Sequence, residues 1–134
     1  MDGAAELGKY RIKVLDDARP YACSWSDGVI GLSRGLLHLM DQDETAAVVG
    51  HELGHLLSHQ GKSGIWSLLG GNNWTNNEEQ ADSIAVVLLR HACISPLALP
   101  HALAKVRDAP QSPLELKAGL DQRIDRLTRT IARD

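Results

Sequence analysis

The hydrophobic pattern changes period near residue 33, from an alternation of two to a helical repeat. Arg11 to Leu15 alternates around Ile12 and Val14 and predicts a short strand. Asp16 to Pro20 predicts a turn. Tyr21 to Trp25, Ser26-Asp27-Gly28 and Val29 to Ser33 together predict a β-hairpin, because an Asp-Gly pair supplies the positive backbone angles of a tight turn. The N-terminal third is therefore expected to be a small, mostly antiparallel three-stranded sheet, with strands over about 11–33.

Helices are expected over about 34–132. Arg34 to Met40 predicts a short one. Asp41 can cap the next, and Glu44 three residues later completes a capping box. That helix should run to about His59 and end at Gly61. Residues 61–75 are rich in Gly, Ser and Asn and predict a loop carrying Trp66 and Trp74. Asn76 or Asn77 is expected to cap a third helix reaching about Ala92. Ser95-Pro96 starts a further helix through Arg107, which Ala109-Pro110 breaks. Leu114 to Ala132 predicts a last amphipathic helix, with Leu116, Leu120, Ile124, Leu127 and Ile131 on one stripe.

The expected class is thus α+β, in a single domain covering 1–134. A length of 134 residues fits one domain, and 43% hydrophobic residues supply a core without disulfide staples. Cys23 and Cys93 lie far apart and read as ordinary buried thiols. The net charge of −3 argues against a nucleic-acid partner. No apolar run reaches membrane-spanning length. Met1 to Lys9 lacks the apolar centre of a signal peptide, so the expected compartment is the cytoplasm, or else an export or anchor segment has been removed. Nothing in the sequence indicates an oligomeric state.

The chemistry concentrates in His51-Glu52-Leu53-Gly54-His55. Residues four apart share a helical face, so two imidazoles can converge on one ion with bonds of about 2.0–2.1 Å. Glu52 lies beside them, placed to act on water as a general base without being a ligand. Val48, Val49 and Gly50 before the motif, and Leu56 and Leu57 after it, are uncharged, as a buried helix requires. His59 shares the row, but eight helical residues span roughly 12 Å, too far for one ion to bridge. The better third ligand is Glu78, 23 residues after His55. Asp82, four further on, can accept a hydrogen bond from a ligating histidine and fix its tautomer. Small Ala81 would let two helices approach closely, and Glu79 should point to solvent. Two imidazoles and one carboxylate favour zinc, one ion per chain.

The pair His51-Glu52-x-x-His55 and Glu78-x-x-Ala81-Asp82 resembles the gluzincins of the HtpX and CAAX-prenyl-protease type. The likeness extends to Val14 to Ala22, Gly28 to Leu37, the approach from Asp43 to Gly50, and Arg123-Ile124-Asp125-Arg126-Leu127, together covering roughly 12–130. It implies a zincin-like helical domain and a zinc metalloendopeptidase acting on peptides or proteins. Tyr21 stands where the family usually has asparagine, and Ser112-Pro113 replaces its His-Pro at a different spacing. The membrane helices of the large relatives have no counterpart, which reads as a minimal soluble catalytic domain.

Under that reading an edge strand of Val29, Ile30, Gly31, Leu32 and Ser33 could hold an extended substrate by strand addition. Trp66 and Trp74 could wall the cleft or merely pack against it. Arg123 is read as an oxyanion stabiliser or, preferably, a structural ion pair. Two alternatives stay open: a latent form whose C-terminal helix covers the cleft, and a non-catalytic zinc-binding module.

Overall fold

A computed structural model describes residues 10–25, 27–58, 66–67, 75–109 and 114–133. The side chains of 66–67, 75–77 and 114–118 lie outside that description. The fold is α+β. Strands β1 (Arg11–Leu15), β2 (Ala22–Ser24) and β3 (Val29–Ser33) lead into helices α1 (Arg34–Leu39) and α2 (Gln42–Leu57). After a two-residue strand β4 (Trp66–Ser67) come α3 (Thr75–His91), α4 (Ala98–Asp108) and α5 (Leu114–Arg133).

The sheet has the order β1-β3-β2-β4. The β2–β3 hairpin forms as expected, antiparallel with Ser24 opposite Ile30. Of the Asp-Gly pair only Gly28 takes a positive φ, 94°, and its N–H donates to the Trp25 carbonyl. Two expectations need correction. First, β1 pairs in parallel with β3, so the sheet is mixed, and β4 adds a fourth strand inside the predicted loop. Second, β3 is not an edge. Its two sides are taken by β1 and β2, which leaves no open backbone along Val29, Ile30, Gly31, Leu32 and Ser33 for strand addition. β1 is the outer strand, and its Ile12 and Val14 are exposed.

One face of the sheet, carrying Ala22, Ile30 and Leu32, is buried in a core with Val48 of α2, Leu99 of α4 and Leu120 of α5. The start of α2 is fixed as its sequence requires. Asp41 accepts from the Glu44 N–H, and Glu44 returns a bond to the Asp41 N–H, both at 2.8 Å. Lys105 of α4 reaches the same Glu44 carboxylate at 2.6 Å and ties the two helices together. Helix α2 ends at Leu57. His59, Gly61 and Trp74 lie outside the described residues. Helix α3 begins at Thr75, so Asn76 and Asn77 fall inside its first turn and do not precede it.

Helix α3 closes with a left-handed residue. Ile94 N–H donates to the Leu89 carbonyl and Cys93 N–H to that of Arg90, the paired bonds of a Schellman ending, with Cys93 at φ 61°. Cys93 is exposed, against the expectation of a buried thiol, whereas Cys23 is buried. A β-carbon at that φ costs energy that glycine avoids. Cys93→Gly is therefore expected to stabilise the protein by about 1 kcal/mol, read by urea unfolding; a loss of stability would contradict this account of the cap.

Candidate metal centre

Helices α2 and α3 cross at two small residues. A β-carbon built on Gly54 would lie 2.6 Å from the Ala81 carbonyl oxygen and 2.8 Å from its Cα, so the backbones touch there. One turn earlier the same construction on Gly50 meets Ala85 at an ordinary 3.6 Å. The close approach at Gly54 carries the histidine face of α2 onto the acidic face of α3. Gly54→Ala is accordingly expected to cost about 1–3 kcal/mol through forced separation of the helices, despite the better helix propensity of alanine, and to lower metal content. Gly50→Ala should be neutral or slightly stabilising. Denaturation of both variants checks the contrast, and equal behaviour would contradict it.

The result of that crossing is a buried cluster of His51, His55 and Glu78 that could hold a metal ion. His51 Nε2 lies 3.2 Å from His55 Nε2 and 3.1 Å from Glu78 Oε1, and His55 Nε2 lies 2.8 Å from the same oxygen. The two rings are nearly perpendicular, at 89°. A tetrahedral ion with bonds of about 2.0–2.1 Å keeps its ligands roughly 3.3 Å apart. The triangle of donor atoms is close to that size, and its composition suits a divalent transition metal.

Around the triangle the charges are arranged in pairs. Asp82 Oδ1 lies 2.9 Å from His51 Nδ1, which turns Nε2 toward Glu78 and His55. Arg123 of α5 grips Asp82 with two bonds, Nε to Oδ2 at 3.0 Å and Nη2 to Oδ1 at 2.9 Å, and its Nη1 lies 3.8 Å from Glu78 Oε2. Arg126 adds a contact to Asp82 Oδ2 at 3.3 Å and another to Glu79 at 3.1 Å. Glu79 is thus half-buried and paired, where solvent alone was expected.

These contacts set the protonation of the cluster. Burial disfavours a charged His51, but its bonds to Asp82 and Glu78 prevail and push its pKa up to about 10. Burial likewise works against the Glu78 carboxylate, yet His51 and His55 hold its pKa down at about 2. Asp82 is buried too, and Arg123 and His51 keep it well below the usual carboxylate range. Burial draws the His55 pKa down, so that ring is neutral. The cluster therefore offers one neutral imidazole, one ionised carboxylate, and a second imidazole whose proton a cation would replace.

Glu52 differs from the other acids. It is fully buried, and burial lifts its pKa to about 7, helped by the nearby Glu78 charge. Neither of its oxygens has a hydrogen-bond partner among the described residues. Ser24 on β2 also has a buried, unpartnered hydroxyl, close enough to favour the Glu52 carboxylate though outside bonding geometry. The sequence reading missed Ser24. Its only signal was a polar residue on the inward phase of an alternation, two positions after Ala22. Arg126 was also missed as a partner of Asp82, although it lies three residues beyond Arg123, on the same helical face. The backbone of Trp66 is in β4.

Comparison with known proteins agrees with the motifs. Residues 3–75, more than half of the chain, match the model for Peptidase family M48. Protease HtpX from Psychrobacter sp. (strain PRwf-1) is 35% identical over 57 residues, 40% of this chain and 19% of that protein. Protease HtpX from Xanthomonas euvesicatoria pv. vesicatoria (strain 85-10) is 39% identical over 57 residues, 40% of this chain and 20% of its own length. Metalloprotease LoiP from Escherichia coli (strain K12) is 33% identical over 63 residues, covering 47% of this chain and 24% of that one. The matched segments thus span a quarter or less of these relatives. No solved structure matches. The family match stops before Glu78 and Asp82, so their place beside the histidines rests on the helix crossing. With the metal motif inside the matched segment and the donor cluster assembled around it, the chain belongs to peptidase family M48.

Proposed function

We propose that this protein is a zinc-dependent metalloendopeptidase, in a zincin-like arrangement of α2 and α3, with His51, His55 and Glu78 as the ligands of one zinc ion. The observation that carries the reading is the convergence of three buried donor atoms, from two helices, within 3.2 Å of one another. When bound, zinc supplies Lewis-acid polarisation of a carbonyl and brings the pKa of water toward about 7.

The chain's own residues do the rest. Asp82 fixes the tautomer and orientation of His51, and Arg123 holds Asp82 in place. Glu52 accepts the proton of the attacking water and passes it to the leaving amine. A raised pKa suits both halves of that transfer, since the group must take and release a proton near neutrality. Peptides or proteins are the substrate class.

Helix α5 bears on the latent alternative. It contributes Leu120 and Leu127 to the core and Arg123 to the buried ion pair, which favours a core element over a detachable cover. Among the described residues no helix is long and apolar enough to cross a membrane. The test is metal analysis of the purified protein with hydrolysis of fluorescein-labelled casein. About one zinc per chain, and activity removed by a chelator and restored by zinc, is expected. Metal-free protein with undiminished activity would overturn the proposal.

A further inference from the structure

We infer that Ser24 is a positioning residue for Glu52, donating a hydrogen bond that holds one carboxylate oxygen so that the other is aimed at the reacting water. The inference rests on the proposed peptidase reading and adds a residue to it.

Three observations place Ser24 there. Period-two alternation puts Ala22 and Ser24 on the sheet face that packs on α2, with Cys23 on the opposite face beside Gly31. Ser24 lies between Ile30 of β3 and Trp66 of β4 in the ladder, so its backbone is held from both sides. Its side chain is fully buried, and the hydroxyl has no protein partner in the described structure.

An unpaired buried hydroxyl is costly, and so is an unpaired buried carboxylate. Here β2 packs on α2, and Ser24 is near enough to Glu52 to favour its carboxylate, one group a donor and the other an acceptor. A turn of the hydroxyl and a small movement of the Glu52 side chain would pair the hydroxyl with one carboxylate oxygen and leave the other for water. The bond matters for rate because Glu52 has no other hydrogen-bond partner among the described residues. A general base that wanders from its line to the water loses the advantage of fixed geometry. Ser24 would thus act through Glu52 and need not touch substrate.

The test uses Ser24→Ala and Ser24→Thr in the full chain with an internally quenched peptide that the wild type cleaves. Loss of one charge-assisted bond predicts a fall in kcat of about ten- to a hundredfold for Ser24→Ala. KM and zinc content should be little changed, and Ser24→Thr, which keeps the hydroxyl, should recover activity. A second readout needs no turnover: the melting shifts of Ser24→Ala and Glu52→Ala in metal-free protein should be non-additive in the double variant. Unchanged kcat in Ser24→Ala, or strictly additive shifts, would overturn the inference while leaving the peptidase reading intact. An inactive wild type would instead remove the peptidase reading, and additivity in the metal-free cycle would then decide the Ser24–Glu52 pairing by itself.

Discussion

Glu52→Gln is expected to lower kcat by about 10²–10⁴-fold, the usual range for removal of a general base, and to leave zinc bound at one per chain. The amide has the shape of the carboxylate but cannot take a proton from water. Glu52 is not one of the three converging donors, so the ligand set is untouched. Stability should change little: a buried charge is removed, but an amide with its own unmet donors takes its place. Measuring kcat, KM and bound metal on the same preparation separates the roles. Loss of metal along with activity would make Glu52 a ligand, and retained activity would remove it from the mechanism.

Arg123→Met is expected to destabilise the protein by about 3–5 kcal/mol, because it breaks a buried ion pair and leaves the partner charged. Asp82 is 1% exposed and Arg123 7%, so solvent cannot replace the lost guanidinium. Arg126 touches the same carboxylate at 3.3 Å from a half-exposed position and can compensate only in part. For a domain whose total stability is about 5–15 kcal/mol, the loss is a large fraction of the whole. A second effect follows through Asp82. With that carboxylate less firmly held, His51 is less firmly oriented, and zinc affinity should fall about 10–100-fold. Urea unfolding and competition with a chromophoric chelator measure the two effects. A variant within 1 kcal/mol of the wild type, at unchanged affinity, would show that α5 does not brace the centre.

The cluster of His51, His55 and Glu78 was the most legible part of the sequence because its signals are local. The capping box at Asp41 and Glu44, the four-residue spacing of His51 and His55, and the four-residue spacing of Glu78 and Asp82 follow from the helical repeat alone. Even the close helix crossing had a sign in Ala81. The sheet was less legible because alternation identifies strands but not their neighbours. Nothing in Arg11–Leu15 says that it pairs in parallel with Val29–Ser33, and that pairing is what takes β3 off the edge. The short β4 ladder has no period to detect. It forms against the open side of β2, a property of the assembled sheet. Arg123 was readable as a candidate for two roles, and its two bonds to Asp82 are what favour the ion pair.

Zinc K-edge X-ray absorption on the zinc-loaded protein, compared with Glu78→Gln, addresses the ligand set directly. The account predicts two imidazole nitrogens and oxygen donors at about 2.0–2.1 Å, with the spectrum altered and the affinity weakened in the variant. Sulfur scattering near 2.3 Å, or a spectrum indifferent to Glu78→Gln, would contradict it.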